Sequence, residues 1–215
     1  MNTIVVFLSL LSLLINTTQT SQNKPTFEGK VAYNRTILYK NGQTSEKIIH
    51  YWLKENQLRV DYFYNNTLII TRIVDANTKE LKVLVNDNFE KKASIAKFNP
   101  LNLTNIGKIT TQSDTASKTI LGYKCQKINF SHGELKATIW VATELPFDHN
   151  TLAGAILNTS EGLLPQDLLG IPLETTITDA AKEQTITIKA TNIQNSTIHK
   201  DIFEIPNDYK IKIVE

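Results

Sequence analysis

From Phe27 onward the chain alternates hydrophobic and polar positions with a period of two, the mark of strands that bury one face. Residues 27–39 set Phe27, Val31, Tyr33 and Ile37 against Glu28, Lys30, Asn34 and Thr36. Asn41-Gly42 follows, a pair that tolerates positive φ and therefore favours a hairpin. Residues 45–54 return as a second strand rich in β-formers, with Ile48, Ile49, Tyr51 and Trp52. Residues 57–63 alternate Leu58, Val60 and Tyr62 with Gln57, Arg59 and Asp61. Asn65-Asn66 turns the chain into 67–74, Asp75-Ala76-Asn77 into 80–85, and Asn86-Asp87-Asn88 into 90–98. Turn signals roughly every 10–14 residues predict an antiparallel meander of six strands in the first half.

The second half is less regular. Residues 99–117, with Pro100, Gly107 and a run of Thr, Ser and Gln, read as a long connection. Residues 119–130 and 134–143 form a hairpin about Ser131-His132-Gly133, with Leu135, Ala137, Ile139 and Val141 opposite Lys136, Thr138 and Trp140. The β pattern breaks between 147 and 169, where the leucine-rich spacing fits two short helices, Pro165 in the first turn of the second. Strands resume at 171–178 and 184–193, and a short one closes at 209–214.

A meander of this size must curl, because strands twist and a large flat sheet is unfavourable. The expected fold is mainly β (α+β): a curved antiparallel meander, an open half-barrel, with short helices covering its concave face. An apolar concave face is filled either by those helices or by a ligand.

The first twenty residues belong to a different class. Residues 4–15 carry no charge and are followed by a polar stretch. As a helix of a dozen residues they would span roughly 18 Å, short of a hydrocarbon core of about 30 Å. They fit the apolar region of a secretory signal, with cleavage near Thr20–Ser21. The first residues hold no Lys or Arg, and the alternatives are a buried N-terminal helix or an uncleaved anchor. The expected organisation is a signal peptide over 1–20 and one β domain over 21–215. The mature protein is expected to lack a transmembrane span and to act in the periplasm or outside the cell. A net charge of +2 gives no basic face for nucleic acid. Cys125 is the only cysteine, which excludes an intramolecular disulfide.

Four motifs carry a resemblance. They are Leu121-Gly122-Tyr123-Lys124-Cys125, the strand around Trp140, Gly170-Ile171-Pro172-Leu173-Glu174, and Phe203-Glu204-Ile205-Pro206-Asn207-Asp208-Tyr209-Lys210. In this order they resemble an uncharacterised family of exported bacterial proteins, a domain of unknown function common in the Bacteroidetes and grouped with lipoprotein carriers of the LolA/LolB type. The resemblance runs from Phe27 to Lys210. It implies an open half-barrel whose cavity, in the carriers, holds acyl chains. It carries over no functional residues, because the family has no established activity. A related group with a G-L-P-G-L-I motif fits less well, since Gly170-Ile171-Pro172-Leu173-Glu174 departs from it.

Catalytic chemistry is hard to place. Cys125 lies in a strand beside Lys124, whose side chain points to the other face, so a buried structural thiol is expected rather than a nucleophile. His50, His132, His149 and His199 lack metal-site spacing, and no nucleotide or hydrolase motif occurs. No enzyme, metal or cofactor is expected. Tyr33, Trp52, Tyr62 and Trp140 are either core packing or, with Leu152, Ile156, Leu163 and Leu164, the lining of a ligand cavity. The expected function is binding of a hydrophobic ligand, lipid or lipoprotein acyl chains, by an exported protein. The alternative is a non-enzymatic envelope interaction module with a filled core, its partner an envelope protein.

Overall fold

The computed structural model describes residues 26–86, 90–97, 110–147 and 168–214. Twelve strands form one sheet: β1 (Gly29–Tyr39), β2 (Thr44–Lys54), β3 (Gln57–Tyr64), β4 (Thr67–Asp75), β5 (Glu80–Asn86), β6 (Lys91–Lys97), β7 (Thr110–Ile120), β8 (Tyr123–His132), β9 (Leu135–Ala142), β10 (Ile171–Asp179), β11 (Gln184–Asn195) and β12 (Lys210–Val214). Their order across the sheet is β12-β6-β5-β4-β3-β2-β1-β11-β10-β9-β8-β7, so among the described residues β12 and β7 are the edges and the sheet does not close. Twelve strands, each twisted against the next, curve the sheet. The Tyr33 hydroxyl on β1 reaches past β11 to donate to the Pro172 carbonyl on β10 at 3.0 Å.

The six strands read from the first half are present, and so are the three read from 171 onward. Residues 110–117, expected as connection, and 119–120, expected to open the next strand, together form the edge strand β7. It pairs with β8 through a turn at Leu121-Gly122 that interrupts the expected 119–130 strand, with φ +52° and +86°. The strand is polar and bulges between Ser113 and Ser117, so it lacks the alternation that betrays a half-buried strand. Polar, bulged edges resist pairing with a second sheet. The helices expected over 147–169 fall, apart from their ends, outside the described residues, as does the signal peptide. The only helical element among the described residues is a 3₁₀ turn at Lys200–Phe203. No helix among them is long and apolar enough to cross a membrane.

Register sorts the side chains into two faces. On the inner face Tyr62, Ile49, Tyr33 and Ala190 stand in one row across β3, β2, β1 and β11. A second row, Ile37, Ile186, Ile177, Ala137 and Phe130, runs from β1 to β8. These rows belong to two buried clusters that share the half-buried Ile188. Phe27, Leu145 and Phe147 cap one end of the first, tied by the Phe27 amide donating to the Pro146 carbonyl at 2.6 Å.

The outer face has its own small core over β2–β6. After β11 the chain crosses this face as a strap, residues 196–209, and lays β12 parallel to β6. Ile198 and Phe203 of the strap bury Ile73, Leu84 and Ala93, with Trp52, Ile202, Ile205 and Tyr209 around them. Cationic side chains of the sheet hold the strap's carbonyls: Lys54 to Ile198 at 2.8 Å, Arg59 to Ile202 at 2.9 Å and Lys82 to Phe203 at 3.3 Å.

Candidate functional site

Strand alternation splits the four aromatic candidates between the two faces. Tyr33 and Tyr62 lie on the inner face, 4 % and 6 % exposed, flanking Ile49. The Tyr33 and Tyr51 rings sit 5.1 Å apart. Burial, and then the neighbouring Tyr51, push the Tyr33 hydroxyl well above the usual tyrosine range, so it stays protonated and donates to Pro172. The Arg72 guanidinium lies over the Tyr62 ring at 5.4 Å.

Trp52 alternates with Tyr51 and Leu53 and faces outward, beneath the strap. Its indole donates to Asp61 at 3.0 Å, and the Lys30 ammonium lies 4.7 Å from its ring centre. Asp61 is buried yet fully engaged, taking Arg59 at 2.8 Å and the Thr71 hydroxyl at 2.6 Å as well. A buried carboxylate is tolerable only with such partners. Trp140 alternates with Ile139 and Val141 and lies on the face opposite them. Lys118 stands 4.4 Å over its ring and bridges to Glu174 at 2.9 Å. Leu152, Ile156, Leu163 and Leu164 lie outside the described residues.

Tyr33 and Tyr62 are thus brought together, and Trp52 and Trp140 are not. The inner face extends from this tyrosine pair onto Ile70, Val83 and Val85, which are half-buried or exposed. It also holds a residue that the sequence did not mark, Arg35, buried between Tyr33 and Ile37. Strand alternation sets it on the same face as Tyr33 and Ile37, while Arg59 and Arg72 are only half-buried. Arg35 pairs in register with Lys47 and Ile188.

Cys125 is fully buried, and burial pushes its thiol above the ordinary range. Desolvation also lowers His50, whose ring lies 4.7 Å from Phe63 on the outer face. Among the described residues no group of three or more His, Cys, Asp or Glu is placed to hold a metal ion.

The motifs singled out in the sequence occupy structural joints. Leu121-Gly122 makes the β7–β8 turn. Gly170 precedes β10 at φ +109°, where an added Cβ would lie 2.5 Å from the Ala142 carbonyl oxygen. The motif from Phe203 to Lys210 forms the second half of the strap and enters β12.

The family described as a domain of unknown function, DUF4412, matches residues 27–209. No curated protein matches the chain. Among solved structures, PNGF-II is similar at 14 % identity and a TM-score of 0.51, over 87 % of this chain and 31 % of that one. The chain therefore spans about a third of the length of PNGF-II. An uncharacterized conserved protein from Thermus thermophilus scores 0.49 at 10 % identity, over 85 % of this chain and 90 % of that one. The LolA superfamily protein NE2245 from Nitrosomonas europaea scores 0.41 at 10 % identity, over 85 % and 92 %. At such identities the likeness to PNGF-II is one of fold alone, and the two lower scores add nothing to it.

Proposed function

The chain belongs to the family described as a domain of unknown function, DUF4412, and from that premise we propose that it is an exported, non-enzymatic protein that holds a hydrophobic ligand, a lipid or acyl chain, on the concave face of its sheet. One observation carries this reading: an apolar inner face on a curved sheet that does not close. A closed barrel fixes its own volume, whereas an open sheet leaves a mouth through which a chain-like ligand enters. Tyr33 and Tyr62 form the floor, and the face continues outward over Ile70, Val83 and Val85. Leu152, Ile156, Leu163 and Leu164 are the proposed cover. Residues 1–20 act as the export signal in this reading, and the site of action is the periplasm or the cell exterior.

The test is native mass spectrometry of protein purified from its own envelope, with solvent extraction of the bound material. A ligand of lipid mass recovered in near-stoichiometric amount is expected. A ligand-free mass together with no uptake of a fluorescent fatty-acid probe would sink the proposal.

A second reading rests on a specific contact. Because the Tyr33 hydroxyl is satisfied by Pro172 and both tyrosines are nearly fully buried, the inner face also suits a filled core, and the protein then acts on an envelope partner through a sheet edge. Crosslinking to one defined protein with no lipid recovered would favour that reading.

A further inference from the structure

The strap covers the outer face only over β2–β6. Beyond the strap, six polar side chains stand in one cross-strand row: Gln112, Asn129, Thr138, Thr176, Thr187 and Thr36, on β7, β8, β9, β10, β11 and β1. Neighbouring strands lie about 4.8 Å apart, so the row is roughly 24 Å long. Gln112 is exposed and the other five are partly buried. Among the described residues the threonine hydroxyls of 36, 176 and 187 make no side-chain hydrogen bond, and the Thr138 hydroxyl donates to Asn129 at 3.1 Å.

A groove lies at each end of the row. The first, about 400 Å³, is lined by Gln112, Asn129, Thr138 and Thr176 among others. The second, about 370 Å³, contains Thr36, Asn34, Asn66, Glu46 and the Phe63 ring. Thr187 is the rung between them, paired with Thr176 on one side and Thr36 on the other. Both volumes fall in the range of small-molecule sites, about 300–1,000 Å³.

We propose that this row and its two end grooves form a binding track for a neutral polysaccharide, distinct from the inner face. Hydroxyls and carboxamides each donate and accept, which matches the vicinal hydroxyls of a sugar. The row itself carries no cation and no apolar stripe for an acyl chain; each end groove is bordered by a single lysine, Lys136 at one and Lys47, beside Glu46, at the other, too few to clamp a phosphate or sulfate repeat. Phe63, braced by His50 at 4.7 Å, offers the apolar surface on which a sugar ring packs. A repeated ligand suits a repeated row, since each strand step presents the same chemistry. A β-sheet also holds such groups in place without the ordering cost that a loop would incur.

The test is affinity electrophoresis of the purified protein in native gels cast with soluble neutral polysaccharides (a β-glucan, a mannan, a xylan and a dextran), with alginate as the anionic control. At least one neutral gel is expected to retard the protein, unchanged by about 0.15 M salt. The double substitution Thr176→Val and Thr187→Val removes two hydroxyls while keeping shape and β-propensity. It is expected to weaken that retardation by about tenfold or more with an unaltered urea midpoint. Retardation that survives the double substitution overturns the proposal. Retardation by alginate alone, lost in salt, overturns it too, as does the absence of any effect in all four neutral gels.

Discussion

At the residue scale, two backbone positions with positive φ show how far composition can mislead. Leu121 is 45 % exposed and adopts φ +52° as the first central residue of the β7–β8 turn, with Gly122 at +86°. Such a turn prefers Asn-Gly, because left-handed backbone costs an ordinary side chain roughly 1–2 kcal/mol. Leu121→Asn is therefore expected to raise stability by about 0.5–1 kcal/mol, read as a higher urea midpoint at unchanged slope. Gly170 is the converse. A Cβ there meets the Ala142 carbonyl oxygen at 2.5 Å and that residue's carbonyl carbon at 3.0 Å, so Gly170→Ala should cost more than about 2 kcal/mol, checked by the same measurement. In the sequence Gly170 is part of a motif, with no local reason for being glycine. The reason is a backbone approach from β9, set by pairing rather than by local pattern. Leu121 hides its turn altogether, and the polar strand before it reads locally as a connection. Trp52, expected beside Tyr33 and Tyr62, sits on the opposite face because it alternates with Tyr51 and Leu53 along β2.

At the scale of elements, the strap is the least legible part of the chain and the one most open to measurement. Its residues read as a family motif, yet nothing local announces that they cross a face and set β12 parallel to β6. A crossover of this kind depends on partners more than a hundred residues away, such as Lys54 for Ile198. Glu28 is the anchor at the start. Its carboxylate accepts Lys54 at 2.8 Å and the Ile198 amide at 2.6 Å. Those two hydrogen bonds, Lys54 first, hold it below the ordinary glutamate value of 4.5. A lowered folded pKa means that the native state gains from the charged form. The contribution is complete above about pH 4.5 and fades as the pH falls through the depressed value. Glu28→Gln should cost about 1–2 kcal/mol at neutral pH and flatten the acid side of the stability profile below the ordinary glutamate value of 4.5. An unaltered acid limb in the variant would show that the strap is held otherwise. Glu90, pulled down to about 2 by Lys210 and Lys92, works in the same sense at the β6–β12 seam. The Phe203 side chain, 2 % exposed, anchors the strap by packing, and Phe203→Ala is expected to cost about 3–5 kcal/mol in urea unfolding.

At the scale of the whole molecule, local pattern reveals a meander and leaves its order unresolved. The six hairpin-linked strands of the first half are readable because each pairs with its neighbour in sequence. The join that makes one sheet, β1 against β11, pairs Gly29 with Asn195 and Tyr39 with Gln184, and no periodicity encodes it. That join has a kinetic consequence. A chain still lacking residues 184–195 has raw edges at both β1 and β10, the situation that invites intermolecular strand pairing. Contacts of such sequence separation also slow folding towards the millisecond-to-second regime. Refolding followed by tryptophan fluorescence should be correspondingly slow, and a chain cut after Asp179 should aggregate rather than fold in part. A soluble, cooperatively melting fragment of that length would contradict this. The bond between the earliest and one of the latest strands thus acts as a timer: until nearly the full length is at hand, the polypeptide stays unlocked, a state that a threading pore can still accept.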